Sequence, residues 1–249
     1  MSVDGSSIAK NGFRNEQEII DKFNAWSSDE DAQSWLIKMG YELDRIEYVK
    51  AERIPGVYKS DVNVLVQVKL RKIVNVENIQ VKLVSNKRGY NQIDKRWLRT
   101  YDDMWHIPNK VYHLLEYFTG TKPPYREDVR DPKRKRMFLD EFSTEEQQDL
   151  TDWFAKNLIL IITDVLKGRG QFCAEWILVA QKFETNARWR LCNINEAIQY
   201  YFGDGGVEIT KRGSLRLGRI TLQRKGGDGG AESANMLQFK LDPTELFDI

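Results

Sequence analysis

The stretch Tyr58-Lys-Ser-Asp-Val-Asn-Val-Leu-Val-Gln-Val68, followed after a short polar interval by Asn78-Ile-Gln-Val-Lys-Leu-Val-Ser-Asn-Lys-Arg-Gly-Tyr-Asn-Gln-Ile-Asp-Lys95, decides how the chain is read. Val62, Val64, Val66 and Val68 alternate with Asn63, Leu65 and Gln67, and Ile79, Val81 and Leu83 alternate with Gln80 and Lys82. Both segments therefore have the two-residue period of strands, and two adjacent strands are the simplest arrangement. Residues two apart on a strand share a face, so Gln80 and Lys82 project together, away from the apolar Ile79, Val81 and Leu83. Asp61 enters at the head of the earlier strand and, if the strands pair, comes close to both.

One carboxylate, one amide oxygen and one ammonium around a point suit phosphodiester hydrolysis. A hard cation such as magnesium takes oxygen ligands and keeps several waters. Asp61, Gln80 and the Val81 backbone carbonyl supply such oxygens, and an ammonium such as Lys82 can orient a water or offset charge on the phosphorus centre. Gln-x-Lys alone says little, because Gln223-Arg-Lys225 and Gln238-Phe-Lys240 repeat it, and a polar strand face accounts for each copy. Ser60-Asp61, placed with eighteen residues between Asp61 and Gln80, sets the first copy apart.

These residues resemble the GCGC-recognising type II restriction endonucleases, a branch of the PD-(D/E)xK superfamily. The likeness extends through Ala9-Lys-Asn-Gly-Phe13, Lys167-Gly-Arg-Gly-Gln-Phe172, Asn186-Ala-Arg-Trp189, Gln223-Arg-Lys-Gly-Gly-Asp228 and Asn235-Met-Leu-Gln-Phe-Lys-Leu-Asp-Pro-Thr-Glu-Leu-Phe247, and so covers nearly the whole chain. Gln80 stands where an acid is more usual in the superfamily, a substitution that the GCGC branch shares. The resemblance implies an α/β fold with a mixed central sheet flanked by helices and a DNA-binding cleft. It further implies Mg2+ as cofactor with Mn2+ as a substitute, double-stranded DNA as substrate, a cognate DNA methyltransferase protecting host sites, and a homodimer as one possible state on a palindrome. Asp61, Gln80 and Lys82 would hold metal and water, and Ser60 would position Asp61 or a phosphate. Two other readings remain open: a sequence-specific DNA-binding protein whose nuclease site has degenerated at Gln80, and a repair nuclease of the same superfamily.

At 249 residues, 41% hydrophobic and 30% charged, the composition is that of an ordinary globular protein. With the resemblance, this implies one endonuclease domain over 1–249, with N-terminal helices over 14–40, a catalytic core and recognition loop over about 55–105, and a C-terminal sheet and DNA-contacting part over about 156–249. There is no long apolar run and no signal-peptide core, which predicts a cytoplasmic protein without a membrane. Cys173 and Cys192 read as buried free thiols, and His106 and His113 have no partners suited to zinc or a triad.

The net charge of +1 hides segregation. Basic runs occur at 87–99, 130–136 and 211–225, while acids crowd into 140–152. Each run alone describes a solvated face, but together they suit a cleft for phosphates. The 87–95 loop carries the residue types of the guanine and cytosine code: Lys87, Arg88 and Lys95 as donors, Asp94 as acceptor, with Asn91 and Gln92 beside them. Tyr90 reads either as a residue that stacks on or wedges between bases or as a surface tyrosine packing under its own loop. Arg219, Arg224 and Lys225 are candidate DNA contacts from the C-terminal part.

The remaining pattern predicts helices over Asn15–Trp26, Asp29–Gly40, Pro108–Phe118, Ser143–Phe154 and Asn193–Phe202, and a further helix face from Ile93, Trp97, Tyr101 and Trp105. Glu16 and Glu18 are minor candidates for a third acid at the metal site, against a simpler role as helix-start acids favouring the dipole. Leu158–Thr163 and Trp176–Ala180 read as buried strands, and Ser214–Leu222 and Met236–Leu241 as C-terminal strands. Lys167–Gln171 reads as a glycine turn or a phosphate nest, and the basic connection around 130–136 as a mobile loop closing on the duplex backbone.

Overall fold

The structure, a computed structural model, describes residues 5–54, 61–68, 73–131, 133, 136–183, 186–225 and 232–249, and of 5–12, 65–68 and 73–75 the backbone only. Ser60, part of the 130–136 connection and the Gly226–Gly230 loop lie outside the described residues. The chain divides into two compact units, Met1–Gly89 with Leu166–Ala197 and Asp242–Ile249, and Tyr90–Val165 with Ile198–Leu241.

The first unit is built on a five-stranded sheet ordered β1-β2-β3-β5-β6. Its strands are β1 (Ile46–Arg53), β2 (Val62–Val68), β3 (Ile73–Val84), β5 (Trp176–Phe183) and β6 (Asn186–Asn193). The two segments with alternating valines are neighbours, antiparallel, with Val62 opposite Ile79. β3 and β5 run parallel, placing Gln80 beside Ile177 and Lys82 beside Val179. As the strand between β3 and β6, β5 is buried continuously from Trp176 to Gln181, which explains its unbroken apolar run.

Two helices cover the sheet, α1 (Gly5–Asn24) and α2 (Glu30–Lys38). Ile19, Phe23, Trp35 and Leu36 pack with Val62, Val64, Ile79, Val81 and Leu178 in one core. Each side chain of this size contributes about 1.5–3 kcal/mol on full burial. α2 begins where the sequence predicts: the Asp29 carboxylate accepts the Ala32 N–H at 2.9 Å, and Lys22 ties Asp29 and Asp31 to α1.

The second unit holds an antiparallel sheet ordered β4-β10-β9-β8-β7, from β4 (Asn91–Arg96), β7 (Val207–Ile209), β8 (Leu215–Leu217), β9 (Ile220–Arg224) and β10 (Leu237–Leu241). The helices α3 (Leu98–Trp105), α4 (Asn109–Thr119), α5 (Thr144–Lys156) and α6 (Leu158–Leu166) precede β5, and α7 (Ile194–Phe202) follows β6. At the start of α5, Ser143 and Glu146 exchange hydrogen bonds as a capping box.

Four readings of the sequence need correction. Ile93 belongs to β4, paired with β10, and the helix starts only at Leu98; the four-residue spacing to Trp97 bridged a strand and a helix. Leu158–Leu166 is a helix: Leu158, Ile161, Ile162 and Val165 are buried at helical spacing, whereas the apolar Ile159 and Leu160, 54% and 40% exposed, filled in the period and disguised it. Ser214–Leu222 is a hairpin of two strands. Gly218 turns it at φ 56°, where a Cβ would collide with the carbonyl oxygens of Tyr201 and Phe202. Cys192 is buried but Cys173 only partly.

Candidate active site

Asp61 directly precedes β2, and the pairing of Val62 with Ile79 carries it alongside β3. Its N–H donates to the Ile79 carbonyl at 2.9 Å, and its Oδ2 accepts the Val81 N–H at 2.8 Å. Asp61 is thus fixed against the β3 backbone on both sides of Gln80, by its own N–H at Ile79 and by its carboxylate at Val81. Gln80 itself is 2% exposed, and its Oε1 is buried with no hydrogen-bond partner among the described residues. Leaving a buried acceptor unmet costs about 1–3 kcal/mol, so such an atom calls for a donor or a cation. Lys82, two residues on, shares the face of Gln80 while Ile79 and Val81 enter the core.

Glu16 joins this group from α1. It forms an ion pair with Arg53 at 3.1 Å. Burial, followed by the nearby Asp61 carboxylate, raises its pKa, with Arg53 and Lys82 acting in the opposite direction. Glu18 instead pairs with Lys182, whose ammonium lies 5.2 Å from the Trp189 ring centroid. The helix-start account of both acids fails, because α1 begins at Gly5 and its first turn holds no acid.

The described residues contain no group of three or more His, Cys, Asp or Glu side chains placed to cage an ion. The donor set at β2–β3 is different in kind: a carboxylate, an unsatisfied amide oxygen and backbone carbonyls, all hard oxygens of the sort that magnesium accepts. The residues therefore fit a hard divalent cation.

The loop residues are distributed as follows. Lys87 and Arg88 are exposed, and Tyr90 is 68% exposed. Asn91, Gln92 and Lys95 lie on β4, with Gln92 opposite Lys240 and Lys95 opposite Gln238. Asp94 faces inward, where its Oδ2 accepts the Tyr101 hydroxyl at 3.0 Å and the Arg96 Nε–H at 3.1 Å. Arg219 stacks on Tyr200. Arg224 pairs with Asp131 at 3.2 Å and lies over Phe138, and the Lys225 carbonyl accepts from the buried Arg136. Arg136, from the described part of the basic connection, is thus spent on internal contacts, as is Arg224.

A match to the family model of the R.HinP1I restriction endonuclease covers residues 39–247. The chain belongs to the R.HinP1I restriction endonuclease family. It is accordingly a nuclease of restriction type, and Asp61, Gln80 and Lys82 lie within the matched region. Among solved structures, restriction endonuclease MspI in complex with its cognate DNA resembles it at a TM-score of 0.64 and 16% identity, over 91% of this chain and 87% of that one. That likeness shows the fold: a mixed α/β restriction-endonuclease architecture. No curated protein sequence matches.

For this R.HinP1I-family chain, reading the sequence overlooked a polar cleft in the second unit. Tyr90, Lys211, Arg212, Thr221, Gln223 and Lys240 line about 470 Å3 together with Thr210 and Ser214, and none of the lining side chains is acidic. Thr221 faces Lys240 across β9–β10, and Lys240 faces Gln92 across β10–β4, so one sheet face carries a polar row. Gln223 and Lys240 belong to the other two Gln-x-Lys segments, each accounted for by a polar strand face. Their alternation with Leu222, Phe239 and Leu241 was the signal that they share an open strand face.

Proposed function

We propose that this chain is a Mg2+-dependent type II restriction endonuclease that hydrolyses both strands of duplex DNA at GCGC, with Mn2+ as a substitute cofactor. The observation that carries the reading is the partnerless, buried Gln80 Oε1 on the strand to which the Asp61 carboxylate is pinned. Asp61, Gln80 and the Val81 carbonyl would hold the cation, which when bound would supply Lewis-acid polarisation of a phosphoryl oxygen and a more acidic bound water. Lys82 orients the attacking water and offsets the negative charge that gathers on the phosphorus centre. Glu16, ion-paired with Arg53, adds a further acid near Asp61 and Lys82. Ser60 positions Asp61 or a phosphate.

Lys87, Arg88, Asn91, Gln92 and Lys95 supply donors for guanine edges, and Tyr90 stacks on or wedges between bases. Asp94, already accepting from Tyr101 and Arg96, braces β4 behind this row. Arg219, Arg224 and Lys225 lend positive charge toward the duplex backbone. All 249 residues act as one endonuclease domain in the cytoplasm, beside a methyltransferase that protects host sites, and a homodimer would match the two-fold symmetry of the site.

Plasmid digestion with magnesium, compared with the same reaction in chelator, tests the reading. Discrete fragments with magnesium alone support it. A gel shift without cutting supports the degenerate DNA-binding alternative, and cutting only of branched or mismatched substrates supports a repair nuclease.

A further inference from the structure

Gln181 occupies the last turn of burial on β5, opposite Val84, the final residue of β3. It is 6% exposed, yet both N–H groups and the oxygen of its amide are hydrogen-bonded. Its Nε2 donates to the carbonyl of Asn86 at 2.8 Å and to that of Lys87 at 2.9 Å. Its Oε1 accepts the Nε–H of Arg188, its cross-strand partner on β6, at 2.6 Å. Arg188 in turn lies 4.0 Å from the ring centroid of Phe247. The orientation of the amide is forced, because a flip would set an oxygen against two carbonyls and an NH2 against a guanidinium N–H.

Asn86, Lys87 and Arg88 themselves are exposed. Two consecutive carbonyls held by one buried amide fix the peptide plane from which the Lys87 and Arg88 side chains leave. β3, which carries Gln80 and Lys82, ends at Val84, two residues after Lys82 and two before Asn86, so the same clamp fixes the distance from that loop to the proposed catalytic face. Buried polar networks of this kind rigidify when fully satisfied.

We infer that Gln181, oriented by Arg188, is a positioning residue that presets the 86–88 loop for site recognition, so that its loss lowers discrimination between DNA sequences more than it lowers affinity for DNA in general. The inference rests on the reading of Lys87 and Arg88 as duplex contacts. An exposed loop without the clamp would have to be ordered during binding, and that ordering cost falls on the specific complex, in which the loop must adopt one geometry.

The test is fluorescence anisotropy of a short duplex with one central GCGC, and of the same duplex with the site scrambled, in calcium buffer. Gln181→Met keeps the bulk and removes the hydrogen bonds. It is expected to weaken binding to the GCGC duplex about tenfold, the equivalent of one or two lost hydrogen bonds, and to leave binding to the scrambled duplex within about twofold. Arg188→Met, a change at an exposed position, is expected to shift the ratio in the same direction by less. Wild-type discrimination in a folded Gln181→Met protein overturns the clamp. Should Gln181→Met fail to fold, unchanged discrimination in Arg188→Met overturns it instead. A wild-type chain that does not distinguish the two duplexes overturns the underlying restriction reading, a result separable from failure of the clamp alone.

Discussion

Asp61 accepts the backbone N–H of Val81 through Oδ2 at 2.8 Å, so the acid that heads β2 is anchored to the strand that bears Gln80 and Lys82. An asparagine at position 61 retains an oxygen able to accept that N–H and so preserves the strand pairing, but it removes the negative charge from the site. Asp61→Asn should fold with nearly the wild-type melting temperature and bind duplex DNA, and should lose cleavage by on the order of a thousandfold. Single-turnover cleavage beside a thermal melt measures both. Unimpaired cleavage would move the acid of the site elsewhere.

The unmet Gln80 Oε1 implies a trade of stability for activity. Gln80→Leu removes a buried acceptor without opening a large void, and should stabilise the fold by about 1–3 kcal/mol while abolishing cleavage. Urea denaturation in chelator reads the first effect, and plasmid digestion the second. A destabilised variant would mean that this oxygen is already satisfied in solution.

Glu16 should leave a pH signature. Its pKa is raised by burial and then by Asp61, so its contribution to stability is complete below the ordinary carboxyl range and is lost as pH rises through the raised value. Glu16→Gln should therefore stabilise the protein at neutral pH and lose that advantage in acid. Melting curves on the two sides of the carboxyl range reveal the crossover.

Asp29 carries the opposite sign. Burial works to raise its pKa, but the Ala32 N–H and Lys22 outweigh it and the net direction is down. The cap is therefore present above the ordinary carboxyl value and is lost as pH falls through the lowered one. Asp29→Ala should cost about 1 kcal/mol at neutral pH, with a smaller difference in strong acid, as read by chemical denaturation.

The alternating valines and the Ser143 capping box were legible because strand period and capping chemistry are local. The cap at Asp29 was legible for the same reason. The helix over Leu158–Leu166 was not, since the exposed Ile159 and Leu160 erased the polar face that marks an amphipathic helix. β4 escaped because its pairing partner β10 lies far along the chain and leaves no local trace. At the candidate site, the types and spacing of Asp61, Gln80 and Lys82 could be read directly. The proximity of Glu16 could not, because it depends on where α1 begins and on which of its turns passes Asp61. The role of Gln181 was equally hidden, being set by a parallel strand pairing across about a hundred residues of sequence.

Replacing the lysine of each Gln-x-Lys segment in turn, at Lys82, Lys225 and Lys240, separates the proposed centre from the other two. The decisive measurement is plasmid digestion with magnesium by the wild type and by Lys82→Ala, Lys225→Ala and Lys240→Ala, followed by sequencing of the fragment ends. The account predicts ends at GCGC from the wild type, none from Lys82→Ala, and the same ends at reduced yield from the other two. Wild-type cutting by Lys82→Ala, or ends that share no sequence, would contradict it.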